Sequence, residues 1–129
     1  MKRSGILNRH LAGAPAELGH GDEVLVCDAG MPIPPGPRVV DLAFLAGVPP
    51  FAEVLDGLLD ELVVEGATAA EEVRTAAPGT DRLPAGRLPG LEHVGHEEPE
   101  ARTAGARLVV RTGEATQYAN VSLRCGVFF

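Results

Sequence analysis

The order of apolar and polar positions divides the chain into short segments of two kinds. Residues 23–27 (EVLVC), 107–111 (RLVVR) and 119–127 (ANVSLRCGV) are apolar, partly β-branched runs bounded by polar or glycine-containing stretches, and read as strands. Residues 38–45 (RVVDLAFL) and 61–65 (ELVVE) carry the same propensity, and 91–94 is a short strand candidate. In residues 51–60 (FAEVLDGLLD) helical spacing puts Phe51, Val54, Leu55 and Leu58 on one face, behind Pro49 and Pro50. Residues 11–18 (LAGAPAEL) read as a short helix closed by Gly19. Residues 67–77 (ATAAEEVRTAA) are helical in composition and end before Pro78 and Gly79. The prolines of residues 31–37 (MPIPPGP) cannot sit in a central strand, so that stretch is a turn. From 78 to 106 the pattern fades: seven of the 18 residues from 78 to 95 are Gly or Pro, which predicts mostly loop.

Strands separated by helical segments predict the α/β class: a single three-layer α/β/α domain over residues 1–129, with a mostly parallel mixed sheet. A chain of 129 residues is the size of one ordinary domain. In such sheets ligands bind at the carboxyl ends of strands, which directs attention to the loops after Cys27, Glu65 and Arg111.

Composition removes several function classes. With 45% hydrophobic and 22% charged residues, the chain is not intrinsically disordered. Its net charge is −7 and its only lysine is Lys2, so neither nucleic acid nor an anionic membrane surface is an expected partner. No apolar run approaches the roughly 20 residues of a membrane helix, and the basic N-terminus lacks the apolar core of a signal peptide, so a cytoplasmic location is expected. Cys27 and Cys125 are then expected to be reduced and buried.

The chemistry-bearing residues are few. The Walker loop, G-x-G-x-x-G, G-x-S-x-G and H-E-x-x-H motifs are all absent. His20 lies between two glycines just before the first strand; as a lone turn histidine it is either solvated or a proton-transfer group. Asp28 follows that strand, as a turn residue or a ligand-binding carboxylate. His93 and His96 precede Glu97 and Glu98; that spacing would suit metal on a helix better than in the strand or loop expected here. Tyr118 and Asn120 flank the entry of the last strand, and Tyr118 is either core or site. Glu71 and Glu72 read as a solvated helix face. Taken alone, these residues describe an acidic α/β domain with a His/Asp pocket.

Longer motifs carry more. Gly5-Ile6-Leu7-Asn8, the run LGHGDEVLVCDAGMPIP (18–34) and the run VVRTGEATQYANVSLRCGVFF (109–129) resemble the D-ribose pyranase family. Val40-Asp41-Leu42, Gly47-Val48-Pro49 and Val64-Glu65 fall between them in the family's order, so the resemblance runs nearly end to end. It implies interconversion of pyranose and furanose forms of D-ribose, without cofactor or metal. It implies that His20 is the proton donor and that Asp28, His96, Tyr118, Ala119 and Asn120 contact the sugar. It also implies a cytoplasmic homo-oligomer, usually a decamer of two pentameric rings, with sites near subunit contacts. The chain departs from the family between 78 and 106, where it is shorter and rich in Gly and Pro. Pro99 and Glu100 stand where the family often has an aromatic residue and a lysine, which removes a cationic sugar contact and makes His93 a competitor of His96.

The residue types suit that chemistry. Opening a cyclic hemiacetal needs a base for the anomeric proton and an acid for the ring oxygen. Histidine, with an ordinary pKa of roughly 6.5, serves either role near neutral pH. Tyr118 and Asn120 offer donors and acceptors to further hydroxyls. The apolar end, Val127-Phe128-Phe129, is expected to pack against a neighbouring copy. Competing readings are the sister activity, L-fucose mutarotase, a sugar-binding module without turnover, and a ring protein with a decayed site.

Overall fold

Val24 and Val26 point to one face of a strand, Leu25 and Cys27 to the other, and all four are buried. A strand apolar on both faces belongs in a sheet covered on both sides. That strand, Glu23–Cys27 (β1), lies inside a six-stranded mixed sheet. The computed structural model describes residues 1–72, 74, 83 and 85–129. Its other strands are Arg38–Asp41 (β2), Val64–Ala70 (β3), Glu92–Val94 (β4), Leu108–Arg111 (β5) and Val121–Cys125 (β6), in the order β2-β5-β1-β6-β3-β4. β5 runs parallel to both β1 and β2, β3 runs parallel to β4, and β6 is antiparallel to its neighbours β1 and β3.

The layers follow from the pleat. Val24, Val26, Leu108, Val110, Val121 and Leu123 share one face with Ala67 and Ala69. Helix Phe51–Leu59 (α2) covers that face with Phe51, Val54, Leu55 and Leu58, the stripe its spacing predicts. The short helix Arg9–Ala12 (α1) adds Leu11 to the same core. On the opposite face Leu25, Cys27 and Val109 pack with Met31 and Ala106. Helix Glu97–Thr103 (α3) lies on that side, its Arg102 reaching Glu23. The three-layer α/β arrangement is the expected one.

Several elements differ from expectation. Residues 67–70 are not helical: the strand expected at 61–65 begins at Val64 and runs to Ala70. Alanine favours helix when nothing else decides, but here burial between β6 and β4 does. Glu61 and Leu62 instead finish α2 through bonds to the Leu58 carbonyl. The rest of the helix expected at 67–77 falls partly outside the described residues. The helix expected at 11–18 is two pieces, α1 capped by the Asn8 side chain and a 3-10 turn, Pro15–Glu17. β2 stops at Asp41, and Leu45 bridges back to Val48. α3 occupies part of the stretch read as loop; Pro99 falls in its first turn, where no backbone N–H is required. Both cysteines are free and buried as expected. Among the described residues no helix is long and apolar enough to cross a membrane.

Candidate functional site

Because β6 runs against β1 and β3, the carboxyl ends of β1, β3, β4 and β5 meet the amino end of β6 at one edge of the molecule. Asp28 directly follows β1 and Asn120 directly precedes β6, so the topology sets them side by side. The Asp28 N–H donates to Asn120 Oδ1 at 3.0 Å. Asp28 Oδ1 accepts the Gly30 N–H at 2.8 Å, a local turn that the Asp-Ala-Gly sequence favours. Tyr118 holds a left-handed backbone, φ 65°, which is uncommon for a residue with a side chain and recurs where function fixes the geometry. These residues, with Gly30, Met31, Pro32 and Gln117, line a cleft of about 260 Å³.

The loop is held from below by Thr112-Gly113-Glu114. The Thr112 hydroxyl donates to the Cys27 carbonyl at 2.9 Å, and the Ala29 N–H donates to the Glu114 carbonyl at 3.0 Å. Asp28 is therefore pinned on both sides and at its own N–H. The Glu114 carboxylate accepts N–H groups from Thr116 and from Phe51, the first residue of α2. Burial pushes Glu114 up, but these donors outweigh it and hold the carboxyl below its ordinary range. A side chain at Gly113 would meet the Val48 carbonyl oxygen at 2.0 Å, so the strand end and the 44–48 turn touch through that glycine. Asp28 itself is 8% exposed, and burial raises its carboxyl above the ordinary range against opposing N–H groups of Gly30, Met31 and Tyr118 and the Asn120 side chain. A cleft with a desolvated carboxylate, a phenol and an amide is suited to ordering several hydroxyl groups.

His96 joins this edge through Tyr118, ring centroids 5.6 Å apart. Its partner is Glu72, which the sequence places on a solvated helix face with Glu71 because 67–77 reads as one helix; the structure instead sets it against His96. Glu72 Oε1 accepts from His96 Nδ1 at 2.7 Å, and the hydrogen bond from the histidine holds the Glu72 carboxyl below its usual range. His93 sits in β4, three residues before His96. The Ala119 side chain is buried in the core with Val121 and Leu123, so only its backbone belongs to the loop.

His20 is elsewhere. The Gly19 N–H donates to Asp22 Oδ2 and the Gly21 N–H donates to the Cys125 carbonyl, which fixes the turn at the amino end of β1. Gly21 has φ 83°, which glycine adopts without strain. The exposed imidazole meets Glu65 Oε2 at 2.9 Å, and Arg124 meets the other Glu65 oxygen at the same distance. Within one copy the five residues of β1, roughly 17 Å, separate His20 from the cleft. Glu65, expected to begin a loop at the ligand end, thus lies at the opposite end.

The same architecture recurs in known proteins. D-ribose pyranase 2 of Streptomyces griseus subsp. griseus is 78% identical over 129 residues, 100% of both chains. Bacillus subtilis RbsD complexed with D-ribose matches with a TM-score of 0.93 at 39% identity, covering 100% of each chain. Fucose mutarotase from Streptococcus pneumoniae, in complex with L-fucose, shares the fold at a TM-score of 0.72 and 20% identity, over 94% of each chain. The profile of the RbsD / FucU transport protein family matches residues 1–128, and the chain belongs to that family.

Proposed function

We propose that this protein is a D-ribose pyranase, an isomerase that interconverts the pyranose and furanose forms of D-ribose and so supplies furanose for ribose catabolism. The observation that carries the reading is the cleft: Asp28, Tyr118 and Asn120 converge at the carboxyl end of β1, with His96 against Tyr118. The relatives named D-ribose pyranase, 63–78% identical across the whole chain, support it.

In this reading Asp28 and Asn120 hold sugar hydroxyls and Tyr118 and His96 flank the ring. His20 protonates the ring oxygen as the C1–O bond breaks, while a base takes up the proton of the anomeric hydroxyl, and both protons return on reclosure. The open-chain aldehyde then recloses through a different hydroxyl. A positioned acid–base group contributes about 10²–10⁴-fold.

His20 reaches such a sugar only from a second copy, because its own cleft is a strand length away. Each end carries exposed apolar residues: Phe44 and Leu45 near the cleft, Phe128 and Phe129 at the His20 end. Contact between two unlike ends propagates head to tail and closes into a ring. Covering each Phe would contribute about 1.5–3 kcal/mol. We therefore propose a homo-oligomer, a decamer of two pentameric rings, of one-domain subunits spanning residues 1–129 and acting in the cytoplasm.

The test is NMR exchange spectroscopy on ribose and on fucose, with wild type and His20→Ala. Faster pyranose–furanose exchange of ribose, lost in His20→Ala, is the expected result. Acceleration of fucose anomers alone would move the chain to the sister activity, and binding without added exchange would leave a sugar-binding module.

A further inference from the structure

Strand register brings Glu72 to His96. β3 and β4 are parallel neighbours with Ala70 opposite Val94, and the pairing continues past the strand ends as the Glu71 N–H donates to the Val94 carbonyl at 2.7 Å. Two residues beyond each matched position stand Glu72 and His96. Glu72 Oε1 takes the His96 ring at Nδ1, 2.7 Å away, and faces the His96 backbone N–H at 3.4 Å. One carboxylate oxygen thus addresses both the main chain and the ring of the same residue. Glu72 is itself half-buried. The other side of the arrangement is Tyr118, whose ring is tilted 53° to the imidazole.

We infer that Glu72 is a positioning residue of the sugar site, fixing the tautomer and orientation of His96. A carboxylate accepts and cannot donate, so a neutral His96 beside it carries its proton on Nδ1. The lone pair is then on Nε2, which makes His96 a hydrogen-bond acceptor toward a sugar hydroxyl. Its polarity is opposite to the donor role given to His20, so the two histidines divide acceptance and donation between them. The same logic operates wherever a carboxylate orients a functional histidine through the nitrogen remote from the reaction. This inference rests on the cleft being a sugar site, and its test separates the two ideas.

The experiment is long-range proton–nitrogen NMR of the imidazoles at pH 8, with exchange kinetics on ribose, for wild type, Glu72→Ala and Glu72→Gln. The His96 signals are assigned from their loss in His96→Gln. Wild type should show His96 as the Nδ1–H tautomer, and Glu72→Ala should move it toward Nε2–H. kcat for ribose exchange should fall about 10-fold to 100-fold in Glu72→Ala. KM should change less than about threefold. Glu72→Gln keeps an acceptor oxygen and should restore the Nδ1–H tautomer and part of kcat, an effect that general loss of packing would not give. An unchanged His96 tautomer in Glu72→Ala, or a raised KM with wild-type kcat, would overturn the assignment. If wild type failed to accelerate ribose exchange, the proposed activity would fall, while the tautomer comparison would still decide what Glu72 does to His96.

Discussion

His20 and Asp28 stand at opposite ends of the same central strand, the histidine in the turn that enters β1 and the aspartate in the turn that leaves it. Their sequence separation of eight residues, all of it spent in a turn and an extended strand, keeps them apart within one copy. If the site combines them, each site draws on two copies. Mixing inactive His20→Ala subunits with inactive Asp28→Asn subunits, after dissociation and reassembly, should then restore ribose exchange. With random neighbours in an equal mixture, about one quarter of the sites would contain both native residues. Absence of any recovery in a mixture that has reassembled would argue against shared sites.

Asp28 sets function against stability. Burial raises its carboxyl pKa, so between the unfolded value of about 3.9 and the higher folded value the native state binds more protons. Its contribution to stability is greatest below that window and is lost as pH rises through it. Asp28→Asn removes the buried charge. Thermal unfolding should therefore give a higher Tm for Asp28→Asn than for wild type at pH 7, with the gap closing near pH 3. A gap that stays constant across that range would show that the charge is not its cause.

Gly113 is required by contact, not by conformation. An added Cβ would lie 2.0 Å from the Val48 carbonyl oxygen and 2.7 Å from the Val48 nitrogen, both backbone atoms. Gly113→Ala should lower stability by roughly 3 kcal/mol or more in chemical denaturation, because neither segment can move without breaking the bonds between them. Those bonds run from Gly47 N–H to the Gly113 carbonyl and from Gly113 N–H to the Pro49 carbonyl.

Thr112 is a buried hydroxyl used twice, as donor to the Cys27 carbonyl and as acceptor of the Glu114 N–H. Thr112→Val keeps the shape and loses both bonds. Urea unfolding should register a loss of about 1–3 kcal/mol. Since Cys27 precedes Asp28, ribose affinity should weaken as well. Unchanged affinity in a destabilised protein would confine Thr112 to a folding role.

The apolar strands, the amphipathic stripe of α2 and the residue types available for chemistry are legible along the chain. These are local properties: Val24 to Cys27 are apolar throughout, and Phe51, Val54, Leu55 and Leu58 recur at helical spacing. Its long motifs also pointed to a family. What depends on neighbours emerges only when the strands are assembled. Residues 67–70 became a strand because burial between β6 and β4 outweighs the preference of alanine for helix. That change turned Glu72 from one residue of an expected helix surface into the partner of His96, through a register that no local pattern contains. Likewise the motifs place His20 and Asp28 close together along the chain, and only the direction of β1 sets them a strand length apart. Periodicity records which side chains need burial, whereas strand order and register fix which residues meet, and those depend on contacts between segments remote in sequence.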